Sequence, residues 1–530
     1  MCIRDRSIGY ADDTVLYIKS SDPEAAIETM NNIALPIAER WADEFGLEIA
    51  PEKTVAVLYT NKQNRKPDKN GKIRGSYDDP TPINFLGQEI EWSEQHKHLG
   101  VIMHKKLNYL PHIKSKISKA KSLIIRLKNC MGKIHGLRPR AALTMYHWSR
   151  SVITHGCLVW HREADKKTVI KRLRAFQSYG LRLLGCLRRS TPTAGLEILT
   201  HTPPLHLHVK ELAAKSYLRT KGCEKYTEEE MSTSQDTKKG HRFAIKQWLN
   251  NTIHKAYPRD PDYSDMELDT ITKQYIWDKQ FYIDTYSWSC FNERKGVPRI
   301  DSDANIYTDG RKNETLDGLA GAGLAVWVPK TNRSGEYHIH KDKWHLNKST
   351  VFQCEIYAIK KAAEWLHANW VNKNIKEAVI NCDSQAAIKA LQACITTSSL
   401  IKETVFSLNN IAQYIKVTIR WVKAHVDGSV AHKGNAMADT LANKGRDSPR
   451  GPRVPDIPKI PLSIVGSKLH QGMMALWKDE WELNLTSKWR HRQTKQWRPE
   501  PCAKKAKILL NLSLIHISEP TRPERISYSV

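Results

Sequence analysis

The stretch "STVFQCEIYAIKKAAEWL", residues 349–366, decides the fold of the most regular part of this chain. Its apolar residues Phe352, Ile356, Ile359, Ala363 and Leu366 recur three and four apart, the period of one helix face. Glu355 borders that stripe, three residues after Phe352 and four before Ile359. An ionised carboxylate beside a buried stripe is costly unless something compensates it. A divalent cation would do so; a lysine partner or an escape to solvent would do so equally well.

Around this helix the pattern is three strands followed by alternating helix and strand. The strands are "ANIYTDG" (304–310), "GAGLAVWV" (321–328) and "YHIHKDKWHL" (337–346). After the helix at 350–370 come a strand (377–382), helices (384–394 and 400–413), a strand (415–422) and a helix at 433–444. This is an α/β domain of ordinary size. It places three more acids at telling positions. Asp309 is expected at the end of the first strand, and alone it reads as a turn aspartate. Asp383 sits between a strand and a helix, and alone it reads as an N-cap. Asp439, in "GNAMADTLANKG", alone reads as an exposed helix acid. Together with Glu355 they form a set, and four converging carboxylates repel one another unless metal is present.

"IYTDGRKN", "STVFQCEIYAIKKA", "VINCDSQAAIKAL" and "WVKAHVDGSVAHKGNAMADTLA" resemble the successive motifs of a type 1 ribonuclease H domain, over residues 302–446. The resemblance implies a five-stranded mixed sheet flanked by helices. It implies that Asp309, Glu355, Asp383 and Asp439 hold two Mg²⁺, with Mn²⁺ as a substitute, and that the RNA strand of an RNA–DNA hybrid is hydrolysed. It also implies hybrid contacts at Gly310, Ser384 and Asn435. His425 matches the family's mobile-loop histidine, which assists proton transfer or product release. The segment from His425 to Asp439 is longer than the family pattern and holds a second histidine, His432, and Ala436 stands where an acid is usual.

A second resemblance covers residues 8–220. "IGYADDTVLY" (8–17), with Asp12 and Asp13, is similar to the catalytic hairpin of a reverse-transcriptase palm. "APEKT" (50–54), with Lys53, and "KHLGVIM" (97–103) resemble the motifs that follow it. "LRPRAALTMYHWSRSVITHGCLVW" and "TPTAGLEILTHTPPL" are similar to the thumb and connection of non-LTR (LINE-type, jockey-like) retrotransposon reverse transcriptases. The fingers and first half of the palm have no counterpart here, so no DNA synthesis is expected from this chain alone. Residues 1–7 and 512–530 resemble translated sequencing-adapter sequence and are set aside.

The expected organisation is a partial palm (8–106), a helical thumb and connection (107–220), a linker region (221–301), the ribonuclease H domain (302–446) and a helical extension (447–511). In the palm, Ala26, Met30, Ile33, Ile37 and Trp41 predict the inner face of a helix over 24–46. In the thumb, Lys114, Lys119, Arg126 and Arg138 belong to a dense basic run, interleaved with Ile113, Ile117, Leu123 and Leu127. Any one of these lysines reads as a solvated helix surface, but the whole run matches backbone phosphates.

Composition agrees. With 83 Lys+Arg against 56 Asp+Glu, the formal net charge is +27. Such a balance points to a polyanionic partner, here hybrid, RNA template and DNA. No apolar run is long enough to span a bilayer, which sets a membrane partner aside. The ten cysteines form no C-x-x-C pair, which suits a reducing intracellular compartment. A nuclear location would follow from the family's need to reach chromosomal DNA. The competing function is a catalytically inactive nucleic-acid-binding relic of a retrotransposon polyprotein, marked by salt-sensitive binding without cleavage.

Overall fold

The computed structural model describes residues 6–10, 13–60, 80–129, 139–184, 192–221, 241–271, 274–284, 302–313, 319–329, 337–346, 349–423, 433–448 and 459–488. The chain divides into two compact units, Met1–Leu212 with Trp477–Val530, and Ala213–Leu476.

In the first unit, strands Arg6–Tyr10 and Asp13–Tyr17 form an antiparallel hairpin closed by the pair Tyr10↔Asp13. The following helical run, Pro23–Glu44, is broken by a π-helical turn at Met30–Ala34, just ahead of Pro36. A π turn adds a residue to the winding and rotates everything beyond it. The buried face therefore becomes Ile27, Leu35 and Ala42, while Ile33, Ile37 and Trp41, expected inside, are exposed. Ile27 and Leu35 pack with Ile83, Phe85 and Ile90 of a small hairpin. Helices Leu110–Asn129, Pro139–Thr154 and Lys167–Leu184 pack together over Ile113, Ile124, Ile153, Leu173 and Phe176.

The second unit is built on one mixed sheet of six strands, one more than expected. In chain order these are β1 (Tyr282–Asp284), β2 (Ala304–Lys312), β3 (Ala320–Pro329), β4 (Tyr337–His345), β5 (Glu377–Cys382) and β6 (Lys416–Trp421). Their spatial order is β4-β3-β2-β5-β6-β1. β2, β3 and β4 are antiparallel neighbours, whereas β2, β5, β6 and β1 run parallel. The additional edge strand comes from the region read above as a linker. That region also holds the helix His241–Ala256 and a short pairing of Tyr275 and Ile276 with Thr396 and Ile395.

The helices packed around this sheet are α1 (Val351–Asn369), α2 (Gln385–Gln392), α3 (Ser399–Ala412) and α4 (Lys433–Arg446). Side chains alternate along a strand, so each strand feeds two cores. Ala304, Ile306, Leu324, Val326 and Ile380 pack with Ile356, Ile359 and Leu408 of α1 and α3. Tyr307, Ala325 and Trp327 pack with Ala438 and Leu441 of α4. α4 lies directly on the β3 backbone: a Cβ on Gly323 would stand 2.3 Å from the Ala438 carbonyl oxygen and 2.5 Å from the Ala442 nitrogen. Gly323→Ala is therefore expected to lower stability by about 1–3 kcal/mol through overpacking. A urea unfolding midpoint equal to that of the unaltered chain would contradict this close packing.

Candidate active site

The parity of β2 sets the site. Tyr307, Asp309 and Arg311 share the face covered by α4, and Thr308 and Gly310 share the face covered by α1. Asp309 pairs with Gly323 of β3 and lies inside the strand, which runs on to Lys312 rather than ending at the acid. Asp309 is 4% exposed, and its Oδ1 accepts a hydrogen bond from the Gly310 N–H at 2.8 Å. Oδ2 has no hydrogen-bond partner among the described residues, and Arg311 Nε stands 3.7 Å away.

α1 brings in Glu355 from the other face. A Cβ on Gly310 would meet Cys354 Cβ and Glu355 N at 2.7 Å each, so the bare glycine lets the first turn of α1 rest on the strand. A capping box of Thr350 and Gln353 starts that helix. Glu355 is 4% exposed, and Cys382 Sγ lies 3.7 Å from its Oε2.

Asp383 follows the last residue of β5. The N-cap of α2 is the next residue, Ser384, whose side chain accepts from the Ala387 N–H. The capping role that Asp383 could have filled is thus taken, and its carboxylate turns to the site. Asn435 Nδ2 donates to Asp383 Oδ2 at 3.3 Å. Ligand atoms of Glu355, Cys382 and Asp383 all lie within 4.8 Å of one another. Asp439, on α4, accepts from Arg311 Nε at 2.5 Å and from Asn443 Nδ2 at 3.1 Å.

Crowding shows in the protonation equilibria. Burial first, then the charge of Asp383, then the close hydrogen-bonding approach and charge of Asp439, push Asp309 up to about 8, with Arg311 opposing in part. Glu355 is held well above the usual carboxylate range by burial and by Asp309 and Asp383. Burial also raises the Cys382 thiol.

The structure thus brings together Asp309 from within β2, Asp383 from just after β5, and Glu355 and Asp439 from α1 and α4 on opposite faces of the sheet. Asn435 and Gly310, expected at the nucleic acid, are both buried, the first on Asp383 and the second beneath α1. Sequence reasoning missed Arg311, Asn443 and Cys382. Two spacings could have found the first two: Arg311 is two along the strand from Asp309, and Asn443 is one helix turn beyond Asp439. His425 lies outside the described residues, as do Asp12 and Arg138. Asp13 and Lys53 are exposed on separate elements of the first unit. Lys114, Lys119 and Arg126 are exposed along the helix Leu110–Asn129.

Asp309 binds its proton more tightly folded than unfolded, so its contribution to stability is complete below the ordinary carboxylate pKa near 3.8 and is lost as pH rises through about 8. Metal-free protein is expected to lose stability across that window. Asp309→Asn should remove more than about 1 kcal/mol of the loss. Urea midpoints with an equal pH slope in the two proteins would contradict the crowded geometry.

Residues 301–447 match the RNase H family model. The chain is 28% identical over 213 residues to the 115 kDa protein in type-1 retrotransposable element R1DM of Drosophila melanogaster. That match covers 40% of this chain and 19% of the relative. It is 24% identical over 211 residues to a retrovirus-related Pol polyprotein from type-1 retrotransposable element R1 of Nasonia vitripennis, covering 39% of this chain and 58% of the relative. The chain thus spans only part of either relative. Among solved structures, RNase H1 from Halobacterium salinarum is 20% identical, covering 27% of this chain and 98% of that one with a TM-score of 0.21. LC11-RNase H1 in complex with an RNA/DNA hybrid is 21% identical, covering 27% and 97% with a TM-score of 0.22. No described helix is long and apolar enough to cross a membrane.

Proposed function

We propose that the RNase H domain at residues 301–447, of a nuclease and hydrolase family that generally depends on divalent metal, cleaves the RNA strand of RNA–DNA hybrids, with Asp309, Glu355, Asp383 and Asp439 holding two Mg²⁺. The observation that carries this reading is the buried carboxylate set itself. Asp309 Oδ2 is buried without a hydrogen bond, Glu355 is buried beside a thiol, and the helix cap that would have used Asp383 is supplied by Ser384. Such a donor set, mostly hard oxygen, suits Mg²⁺ or Mn²⁺.

When bound, the two ions supply an activated water and stabilise the leaving 3′ oxygen. The protein's own part is to fix the ligands. Arg311 bridges toward Asp309 and Asp439, so the two acids keep their spacing before metal arrives. Asn435 orients Asp383. His425 is assigned to proton transfer or product release from its place after β6. Lys114, Lys119, Arg126 and Arg138 are assigned to backbone phosphates, and Ser384 to the hybrid. Asp12, Asp13 and Lys53 are assigned to a reverse-transcriptase palm, in line with the antiparallel pairing of 6–10 with 13–17 and the retrotransposon relatives.

The test uses the full chain and an RNA–DNA hybrid labelled on each strand in turn. The RNA strand alone should be cut, only with Mg²⁺ or Mn²⁺. Asp383→Asn should slow cleavage by at least about 100-fold, as the loss of several kcal/mol of transition-state stabilisation requires. Cleavage that survives a chelator, or that Asp383→Asn leaves at the original rate, would refute the assignment. Salt-sensitive hybrid binding by a folded chain that never cuts would select the inactive relic.

A further inference from the structure

Asp269 lies well before the residues that match the nuclease family, yet it is the most heavily bonded carboxylate described in the second unit. It accepts hydrogen bonds from Ser398 Oγ at 2.8 and 3.0 Å, Ser399 Oγ at 2.8 Å, Leu400 N at 3.1 Å and Gln353 Nε2 at 3.3 Å. Those donors belong to the first turns of α3 and α1, where a negative charge is favourable. Gln353 is 1% exposed, and both ends of its amide are used. Its Oε1 accepts from Thr350 N in the capping box, while Nε2 donates to Asp269 and to the Lys459 carbonyl oxygen at 2.8 Å. The backbone repeats the link: Asp269 N donates to Ile460 O, and Ile460 N to Glu267 O. From Asp269 the chain continues through Ile271, hydrogen-bonded to Thr397, and the pairing of 275–276 with 395–396, to β1 at the sheet edge.

We propose that Asp269 is a positioning residue for the nuclease centre, acting through Gln353 on the turn of α1 that presents Glu355, and that the working nuclease therefore includes segments 266–271, 274–284 and 459–461. This rests on Glu355 being a metal ligand. Glu355 is two residues beyond Gln353, directly after the first turn of α1 that the Thr350–Gln353 capping box fixes. Ligands must be held to about half an ångström, so loosening that turn weakens metal binding before it unfolds anything. The clasp also makes the nuclease depend on chain both before and after residues 301–447.

The experiment uses the full chain. Mn²⁺ affinity is read by titration calorimetry, and hydrogen exchange is followed at the backbone amides of 351–357 and of β2 and β5. Asp269→Ala should weaken Mn²⁺ binding by about tenfold, the scale of an outer-shell loss. It should speed exchange at 351–357 while leaving β2 and β5 as in the unaltered chain. Asp269→Asn keeps the shape and one acceptor; it should fall between the two, and it stands in if the alanine variant does not fold. Unchanged Mn²⁺ affinity overturns the proposal, whether or not exchange at 351–357 quickens, since faster exchange alone describes a merely structural clasp. An unaltered chain that binds Mn²⁺ but cuts no hybrid defeats the nuclease reading and leaves this comparison intact.

Discussion

Mutual repulsion among carboxylates is the constraint on which the nuclease unit depends. Asp309 stands within β2 and Asp383 follows the adjacent parallel strand β5, and Glu355 and Asp439 approach from helices on opposite faces of the sheet. Folding buries most of this charge, and each acid makes its neighbours harder to ionise. Without a cation, burial and then the neighbouring acids hold the protons of Asp309 and Glu355 above the usual range. Arg311 neutralises one side of the cluster only. A partly buried cluster of acids is a poor element of stability. It is a good place to capture a divalent ion and with it a phosphodiester.

The surrounding packing serves that crowding. Two bare strand positions set the helix distances: Gly310 admits the first turn of α1, and Gly323 admits α4. Each helix then delivers one acid at a height fixed by backbone contact, with little freedom left to flexible side chains. Strand alternation assigns the rest, since Asp309 and Arg311 share one face of β2 and Gly310 the other. The edge strand β1 extends the sheet beyond β6, and Arg420 anchors it through Asp284 at 3.2 Å.

Much of the site was legible in the sequence because it depends on short periods. The stripe through Ile356 and Ile359 placed Glu355 on the core side, and the strand-to-helix junction placed Asp383; Asp309, expected at the end of its strand, lies three residues inside it. What was not legible depends on geometry that no local period encodes. The π turn at Met30–Ala34 rotates the following helix and exposes Ile33, Ile37 and Trp41. β1 is three residues long, too short for alternation to register. Ser384 rather than Asp383 caps α2, a choice between two good caps that only the path of the chain decides. Gln353 looks like an ordinary capping-box residue, and its bond to Lys459 joins positions 106 apart in sequence.

The direct measurement of the central claim is the number of protons released as metal binds. Titration calorimetry of Mg²⁺ into metal-free protein near pH 7, repeated in two buffers of different ionisation heat, gives that number. Because Asp309 and Glu355 hold protons that a cation must displace, roughly one proton or more per chain should be released, and Asp309→Asn should reduce it. Metal binding with no proton release would mean that the acids are already ionised and well separated, and the crowded two-ion centre described above would be contradicted.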